Sequence, residues 1–277
     1  MVTIDELRRK YRDFSLEGVL ILCKLLNVDK SYIYTYGEKQ VSKEIKDKFI
    51  YFMENIIKGY PIQYILKERE FMGLEFYLED GVLVPRPDTE ILVEYVIDYI
   101  NKRYNGKNID VLDIGIGSGA ISLSIANYCK DVEVYGIDIE DVPIKVANIN
   151  KEKFNLTNVN FFKGDLFKAL DGLDLKFHII MSNPPYIASE KIKDLDIKVK
   201  NFEPRIALDG GMDGLNFYRW ITAESKKYLM DNGLLIYEIG FDQGKSVSDI
   251  LIKEGFSNVS ILKDLQGLDR VVYGTKR

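Results

Sequence analysis

The segment Asp110-Val-Leu-Asp-Ile-Gly-Ile-Gly-Ser-Gly-Ala120 decides the fold predicted for this chain. Residues 110–114 have the pattern of a short strand, and residues 121–128 have the apolar spacing of a helix. A strand, a glycine-rich loop and a helix in this order make a nucleotide-binding turn, because glycines let a ligand approach the backbone and the helix start presents free N–H groups. The segment therefore predicts an α/β domain that binds a nucleotide-like cofactor.

The spacing of the glycines fits two classes of cofactor. Gly115, Gly117 and Ala120 match the G-x-G-x-x-G/A spacing of dinucleotide-binding domains. Asp113 and the three glycines up to Gly119 match the D-x-G-x-G-x-G loop of S-adenosylmethionine enzymes. The glycine loop alone leaves both cofactors open.

Two further strand ends supply candidate cofactor contacts. The strand at 132–137 ends at Asp138, 23 residues after Gly115, where an acidic side chain accepts hydrogen bonds from ribose hydroxyls in either class. The strand at 159–163 is followed by Asp165 and Leu166, which could contact the amino group and the ring face of adenine. A strand-end turn explains Asp165 nearly as well.

Helices and strands alternate along the rest of the chain and predict a doubly wound α/β fold. The expected strands are 110–114, 132–137, 159–163, 177–181, 233–238, 259–263 and 270–273. The close spacing of the last two makes that pair antiparallel, whereas parallel strands need helical crossovers. We therefore expect a mostly parallel, seven-stranded, Rossmann-like sheet.

The beginning of the chain has a different pattern. Residues 1 to about 60 lack strand alternation and predict a small helical domain, with one helix after a cap at Ser15 and another from Ser42 to Lys58. The three tyrosines at 32–36 could form a recognition surface, but such clusters are more often part of a core, where we expect them. Short paired strands are then expected within 71–84. We divide the chain into a helical domain (1–70), a hairpin linker (71–86) and a catalytic domain (87–277).

Composition weighs against several classes of function. The net charge is −5, and residues 1–80 carry 13 Lys or Arg against 14 Asp or Glu, so neither part has the basic balance typical of nucleic-acid binding. Cys23 and Cys129 lie in apolar patterns without His neighbours, which predicts structural thiols and no metal site. The first residues lack an apolar signal core and the apolar runs are shorter than a bilayer needs, so a cytoplasmic protein without a membrane partner is expected.

The segment Ser182-Asn-Pro-Pro-Tyr186 follows the strand at 177–181, in the position where α/β enzymes place their chemistry. The two consecutive prolines exclude a helix, donate no backbone N–H and hold Asn183 and Pro184 extended. An Asn oxygen and a carbonyl oxygen together suit an NH2 group, and Tyr186 offers a flat face for a planar amide or base. This segment, including Pro185, is the predicted catalytic site.

Other features have a structural and a functional interpretation. The lone His178 begins the same strand, roughly 16 Å of extended chain from Asn183, so we expect a structural role for it. The long polar segment 188–214 is expected to be a functional loop over the site. The acidic residues of Arg86-Pro-Asp-Thr-Glu90 either complement a helix start or face the cofactor.

In order, the glycine loop 113–119, Asp138 and Asn183–Tyr186 resemble a class I S-adenosylmethionine methyltransferase. Three segments narrow the resemblance: Pro61-Ile-Gln-Tyr64 with Phe71-Met-Gly-Leu74, Val84-Pro-Arg-Pro-Asp-Thr-Glu90, and Glu203-Pro-Arg-Ile-Ala-Leu-Asp-Gly-Gly211. With them, nearly the whole chain is similar to the HemK-type peptide chain release factor glutamine methyltransferases.

The resemblance implies that the enzyme transfers the methyl group of S-adenosyl-L-methionine to the amide nitrogen (N5) of the Gly-Gly-Gln glutamine of release factors, leaving S-adenosyl-L-homocysteine. The near-neutral charge of the helical domain suits a protein surface better than a phosphate backbone, so we expect this domain to recognise the protein substrate and expect no direct contact with nucleic acid. The cofactor-binding residues that the resemblance implies are Gly115, Ile116, Gly117, Ser118, Gly119, Asp138, Leu166 and Asn183. The residues implied to hold the glutamine side chain are Asn183, Pro184, Pro185 and Tyr186.

Two enzyme classes compete with this interpretation. An adenine, cytosine or ribosomal-RNA guanine amino methyltransferase could use the same catalytic segment, because the amino edge of a base resembles an amide. It would need a basic face or a target-recognition insert, and the sequence offers neither. An NAD-dependent oxidoreductase is supported only by the spacing of Gly115, Gly117 and Ala120.

Overall fold

The computed structural model describes residues 2–277 of the chain. The strands are β1 Val2–Thr3, β2 Gln40–Val41, β3 Glu68–Phe71, β4 Leu74–Tyr77, β5 Ile109–Ile114, β6 Val132–Asp138, β7 Val159–Lys163, β8 Phe177–Ser182, β9 Leu229–Glu238, β10 Ser257–Lys263 and β11 Asp269–Thr275. The α-helices are α1 Ile4–Lys10, α2 Ser15–Leu26, α3 Lys30–Thr35, α4 Lys43–Ile57, α5 Ile62–Leu66, α6 Glu90–Arg103, α7 Ala120–Tyr128, α8 Asp141–Lys153, α9 Ile197–Phe202, α10 Asn216–Tyr228 and α11 Gly244–Lys253. Short 3-10 helices occupy Arg12–Phe14, Pro87–Thr89, Leu166–Leu170, Ile192–Asp194 and Arg205–Ala207.

The described residues form two units. The first holds the chain up to Glu68 together with Asp196–Phe202, and the second holds Arg69–Leu195 and Glu203–Arg277. The segment Asp196–Phe202, which contains α9, was not expected in the helical unit, and its Phe202 ring packs edge-on against Tyr60 with ring centroids 5.4 Å apart. The predicted domain boundaries at 70 and 86 stay predictions, because contact clusters do not define folding units.

The first unit is helical, as the sequence predicts. Helix α4 places Phe49, Met53 and Ile56 on one face, since residues three and four apart lie on the same side of a helix, and all three are buried. They pack in one core with buried residues of α1 to α3, including Leu7, Leu22 and Ile33. Burial of these apolar side chains is the main favourable contribution to the stability of this unit.

The ends of the two predicted helices differ from each other. Ser42 caps α4, because its side-chain oxygen accepts a hydrogen bond from the backbone N–H of Ile45 at 3.2 Å. The predicted cap at Ser15 is wrong. Ser15 is the first residue of α2, the N-cap position is Phe14, and no side chain caps this helix. The preceding 3-10 helix leads directly into α2, so the chain never adopts the extended backbone that a capping serine uses.

The expectation that the early tyrosines form part of the core is wrong for Tyr34 and Tyr36, whereas Tyr32 is partly buried against the helical core. The side chains of Tyr34 and Tyr36 are 61% and 41% exposed. The Arg8 guanidinium lies 4.5 Å from the Tyr34 ring centroid, and Lys39 Nζ lies 4.4 Å from that of Tyr36. Cation–π contacts of this kind keep aromatic rings ordered at a surface without burying them.

The second unit contains a seven-stranded sheet in the order β10-β11-β9-β8-β5-β6-β7. Strands β9, β8, β5, β6 and β7 pair in parallel, whereas β11 is antiparallel to both β9 and β10. The predicted doubly wound, mostly parallel sheet is therefore confirmed. The predicted strands at Val82–Val84 do not form, and both valines are buried in irregular chain after the β3–β4 hairpin.

Both faces of the sheet are apolar. Because side chains alternate along a strand, Val111, Ile179 and Leu234 pack in one core and Leu112, Ile180 and Leu235 pack in the other. The next strands after β5 in sequence, β6 and β7, lie on one side of it, and β8 and β9 lie on its other side. This reversal opens a crevice at the carboxyl ends of β5 and β8.

No helix among residues 2–277 combines the length and the apolar content that a membrane crossing requires.

The two serines provide a matched pair for a stability test. We expect Ser42→Ala to lower the free energy of unfolding by about 1 kcal/mol, because it removes the acceptor for the Ile45 N–H. Ser15→Ala should change it by less than about 0.5 kcal/mol, because Ser15 caps nothing. Denaturant unfolding of the two variants measures both values, and equal losses would contradict the assigned helix starts.

Candidate active site

A cavity of about 270 Å³ lies at the carboxyl ends of β5, β6 and β8. The predicted site residues that line it are Gly115, Ile116, Gly117, Ser118, Asp138, Leu166, Asn183, Pro184 and Pro185. Of the predicted site residues, Gly119 and Tyr186 do not line it. The structure thus brings the cofactor loop and the catalytic segment, 68 residues apart from Gly115 to Asn183, to one cavity.

The glycine loop turns sharply between β5 and α7. Gly115 has φ 80° and Gly117 has φ 55°, in the left-handed region that favours glycine. A Cβ built on Gly115 would meet nothing within 4 Å, so at this position only the backbone conformation, and not packing, requires glycine. Gly119 differs, because a Cβ there would lie 3.0 Å from Leu123 and 3.2 Å from Ala147, so this glycine lets α7 pack closely.

Asp138 ends β6 and faces the same cavity. Its carboxylate accepts hydrogen bonds from the backbone N–H groups of Gly117 and Glu140, each at 3.1 Å. Burial raises the pKa of Asp138, whereas these backbone hydrogen bonds lower it. The carboxylate thereby ties the glycine loop to the neighbouring strand and keeps acceptor capacity in the cavity wall.

Asp113 is fully buried beneath the glycine loop. Its Oδ2 accepts from the Ser122 hydroxyl at 2.6 Å and from the Ser122 backbone N–H at 3.2 Å, which anchors the first turn of α7. Burial raises the pKa of Asp113 to about 7, although both Ser122 hydrogen bonds lower it. Within the described part of the chain, Asp113 Oδ1 has no hydrogen-bond partner.

The chain forms a turn after the end of β7, as the sequence suggests. Asp165 lines the cavity and its carboxylate pairs with Lys168 Nζ at 2.6 Å, within the turn that opens the 3-10 helix. Leu166 has φ 50° and also lines the cavity. The left-handed backbone of a leucine is strained, and such strain is concentrated at functional sites.

The catalytic segment leaves β8 at its carboxyl end. Ser182 is still paired with Ile114 in the sheet, and its hydroxyl donates to the Ile114 carbonyl at 2.6 Å. The next residue, Asn183, donates from Nδ2 to the Thr89 hydroxyl oxygen at 3.3 Å. Because the amide nitrogen is occupied by Thr89, the Asn183 side-chain oxygen is left to accept from a ligand.

Tyr186 has a different environment from the one that the sequence suggested. Its side chain packs against the core on one face of the sheet, and its backbone carbonyl accepts from Gln243 Nε2 at 3.0 Å. Burial raises the pKa of Tyr186 to about 12, with a further increase from the Glu238 charge. Stacking of Tyr186 on a substrate stays a prediction.

Glu238 is a residue that the sequence analysis missed. It ends β9, the strand paired with β8, which Asn183 directly follows, and its side chain is almost completely buried. Burial raises the pKa of Glu238 to about 7, whereas hydrogen bonds from Thr89 and Asn183 and the charge of Arg270 lower it. An acidic residue at the end of an apolar strand was the only sequence signal for it.

The segments at 84–90 and 203–211 are joined by an ion pair beside the cavity. Arg86 Nη2 lies 2.6 Å from both carboxylate oxygens of Glu203, whose side chain is 2% exposed, whereas that of Arg86 is 40% exposed. Pro204, Ile206 and Ala207 line the cavity, so the predicted loop contributes to its wall. This ion pair explains why both segments belong to the site.

The chain after the catalytic segment pairs with the end of the same loop. Ile187 N donates to the Leu208 carbonyl at 3.0 Å, and Gly210 N donates to the Ile187 carbonyl at 2.8 Å. A Cβ on Gly210 would lie 2.8 Å from the Pro185 carbonyl oxygen, so only glycine fits. These contacts hold the backbone of Pro184 and Pro185 in place through the chain that follows them.

His178 lies away from this cavity, at the amino end of β8. Its Nδ1 accepts from the Asp110 backbone N–H at 3.1 Å, and its ring packs edge-on against Tyr104. Burial lowers the pKa of His178. These contacts agree with the structural role expected from its position.

Comparisons with known proteins agree with this architecture. Residues 4–66 match the PrmC N-terminal domain family and residues 105–236 match the Methyltransferase domain family. A release factor glutamine methyltransferase of Clostridium acetobutylicum is 45% identical over 94% of this chain and 90% of its own length. One of Fusobacterium nucleatum is 40% identical over 99% of this chain and 83% of its own length. The crystal structure of a methyltransferase from Pyrococcus furiosus has the same fold, with a TM-score of 0.54 and 21% identity over 82% of this chain and 98% of that one.

The sheet order, the glycine loop at its switch point and the matched domain family define this chain as a methyltransferase. Its similarity to full-length relatives is specific enough to name the family. The chain belongs to the release factor glutamine methyltransferases.

The Arg86–Glu203 pair generates a stability prediction. Arg86→Gln leaves a buried carboxylate unpaired and should lower the free energy of unfolding by about 1–3 kcal/mol, less than for a fully buried pair because Arg86 is partly exposed. Burial raises the pKa of Glu203 and Arg86 lowers it, so without Arg86 this pKa rises further above its unfolded value. Stability is then lost as pH rises, and the deficit of the variant should be larger at about pH 8 than at about pH 5.

The double variant Arg86→Gln/Glu203→Gln is the control, because it removes the buried charge together with its partner. We expect it to recover most of the loss and to have no pH-dependent deficit. Denaturant unfolding at both pH values measures these differences. A deficit of Arg86→Gln that does not grow with pH would rule out the buried ion pair.

Proposed function

We propose that this chain transfers the methyl group of S-adenosyl-L-methionine to the side-chain amide nitrogen (N5) of the glutamine in the Gly-Gly-Gln motif of peptide chain release factors. The observation that carries the proposal is the placement of Asn183 and the glycine loop on one cavity. Membership in the release factor glutamine methyltransferase family supports the substrate. A cytoplasmic location follows from the same proposal, since translation termination takes place there.

The cavity residues suit this cofactor. The open backbone at Gly115 and Gly117 allows a close approach, Asp138 keeps acceptor capacity for ribose hydroxyls, and Leu166 offers an apolar face for a ring. When bound, the cofactor supplies an electrophilic methyl group on a sulfonium. No three His, Cys, Asp or Glu side chains among residues 2–277 are grouped as metal ligands.

The catalytic segment would hold the glutamine. An amide nitrogen shares its lone pair with the neighbouring carbonyl and is a poor nucleophile, so its orientation matters. The Asn183 side-chain oxygen and the Pro184 carbonyl would each accept one N–H of the glutamine, which fixes the direction of its lone pair. The prolines make this arrangement rigid before the substrate arrives, and holding reactants in a productive geometry supplies much of the rate.

The proposal is tested by offering several methyl acceptors with labelled S-adenosylmethionine. Full-length release factor should be methylated on one glutamine, a Gly-Gly-Gln peptide should react poorly, and DNA or RNA oligonucleotides should not react. The peptide should be poor because a small pocket cannot distinguish one glutamine from another, so binding elsewhere must contribute. Methylation of an oligonucleotide but not of release factor would favour the amino methyltransferase alternative.

The cofactor site generates its own prediction. Asp138→Ala should weaken S-adenosylmethionine binding by roughly 1.5–3 kcal/mol, the range for hydrogen bonds to a charged group. Calorimetry measures the affinity, and thermal unfolding checks that the fold survives. An unchanged affinity would remove Asp138 from the site.

Asn183 should act on turnover rather than on cofactor binding. We expect Asn183→Ala to reduce turnover by about 10²–10³, comparable to losing one preorganised hydrogen bond, with nearly unchanged cofactor affinity. Steady-state kinetics with release factor tests this. A purified variant that retains full activity would refute the orienting role of Asn183.

A further inference from the structure

The side-chain amide of Asn183 has an oxygen and an NH2 group of nearly the same shape, and only the oxygen can accept a hydrogen bond from the glutamine NH2. If the Asn183 NH2 group faced the cavity, two hydrogen-bond donors would oppose each other. Which end faces the cavity depends on the groups behind the side chain. In this structure those groups are Thr89 and Glu238.

We infer that Glu238 is a positioning residue that fixes the orientation of the Asn183 side-chain amide, both directly and through Thr89. This inference rests on the proposed function. The parallel pairing of Ser182 with Tyr237 places Glu238 beside Asn183, at the carboxyl ends of two neighbouring strands. Thr89 is 4% exposed and Glu238 is 1% exposed, so no bulk solvent competes for their hydrogen bonds.

An ionised carboxylate can only accept hydrogen bonds, so Glu238 determines which atoms donate in the hydrogen bonds that link it to Thr89 and Asn183. Thr89 and Asn183 both hydrogen-bond to this carboxylate, so both must donate to it, and the Thr89 oxygen is left as an acceptor toward Asn183. Asn183 Nδ2 accordingly donates to Thr89 at 3.3 Å. The Asn183 oxygen is then the atom left for the cavity. A neutral amide or carboxylic acid at position 238 could donate a hydrogen bond instead. The Asn183 amide would then no longer be held in one orientation.

The surroundings of Glu238 keep the carboxylate in place. Arg270 extends from β11, the strand paired with β9, and its positive charge favours the ionised form. Arg270 in turn pairs with Asp88 at 3.2 Å and with Asp264 at 3.1 Å. The other titratable groups that face Glu238 are Tyr186 and Tyr218, and the Tyr218 hydroxyl donates to the Glu238 backbone carbonyl at 3.0 Å.

Glu238 Oε2 is buried and has no hydrogen-bond partner among residues 2–277. An unsatisfied buried carboxylate oxygen is costly, and burial raises the pKa of Glu238 to about 7. A purely structural site would be more stable with an apolar residue or an amide. Protonation of Glu238 as pH falls removes the acceptor that directs Thr89, so turnover should fall on the acidic side of that pKa.

The test compares full-length variants in the methylation of release factor. Glu238→Gln keeps the shape of the side chain but adds a donor, and should lower kcat about tenfold, with the affinity for S-adenosylmethionine changed less than about twofold. The acidic decline in the pH profile of kcat, present in the wild type, should disappear. In the Asn183→Ala background, Glu238→Gln should cause no further loss, because the amide through which it acts is gone.

Thr89 supplies a matched pair of variants. Thr89→Val removes the hydroxyl at nearly constant volume and should lower kcat, although less than Glu238→Gln does because the direct hydrogen bond from Asn183 to Glu238 remains, whereas Thr89→Ser should keep the activity. Thermal unfolding of each variant shows whether it is folded. If Glu238→Gln does not fold, the two Thr89 variants still test the inference.

Three results would overturn the inference. The first is a Glu238→Gln variant that has the kcat of the wild type and keeps the acidic decline of its pH profile. The second is a Glu238→Gln substitution that lowers kcat by the same factor in the wild-type and in the Asn183→Ala background. The third is full activity of Thr89→Val. If the wild-type chain does not methylate release factor at all, the proposed function fails as well, and that outcome is seen before any variant is compared.

Discussion

The structure depends on backbone pairing of β5 with a parallel strand on each side. Ile114 is opposite Ile137 of β6 and opposite Ser182 of β8, and Ser182 is opposite Tyr237 of β9. Because these strands are parallel, all of their carboxyl ends lie at one edge of the sheet. One part of the site lies at the end of each of these strands: the glycine loop after β5, Asp138 at the end of β6, the catalytic segment after β8, and Glu238 at the end of β9. A slip of one residue in any pair would turn its side chains to the opposite face.

Buried carboxyl groups surround this edge. Asp113, Asp138, Glu203 and Glu238 all have a raised pKa, with burial as the largest cause. Their partners differ, since Asp113 and Asp138 are held by N–H and hydroxyl donors and Glu203 by Arg86. Glu238 has hydrogen bonds from Thr89 and Asn183 and the charge of Arg270. A carboxyl group whose pKa is raised in the folded state reduces stability as pH rises through that value. Function at this edge therefore costs stability on the alkaline side.

Local patterns in the sequence predicted the parts of the site that are formed by short segments. The glycine loop, Asp138 and Asn183 could be placed at one sheet edge because a strand, a turn and a helix start are set by neighbouring residues, and all of them line the cavity. Glu238, Thr89 and the Arg86–Glu203 pair were missed as partners because their contacts join residues far apart, 117 positions in the case of Arg86 and Glu203. Ser15 and the exposed tyrosines were misassigned for a related reason, since only packing decides between a cap and a first turn or between core and surface.

The most direct test of the proposed site is a crystal structure of this chain with S-adenosylhomocysteine and a Gly-Gly-Gln peptide. We expect the homocysteine part over the glycine loop, the ribose within hydrogen-bond distance of Asp138, and the glutamine NH2 on the Asn183 side-chain oxygen and the Pro184 carbonyl. Density for the cofactor outside this cavity, or a glutamine whose side-chain oxygen, and not its NH2 group, faces Asn183, would contradict the proposed arrangement.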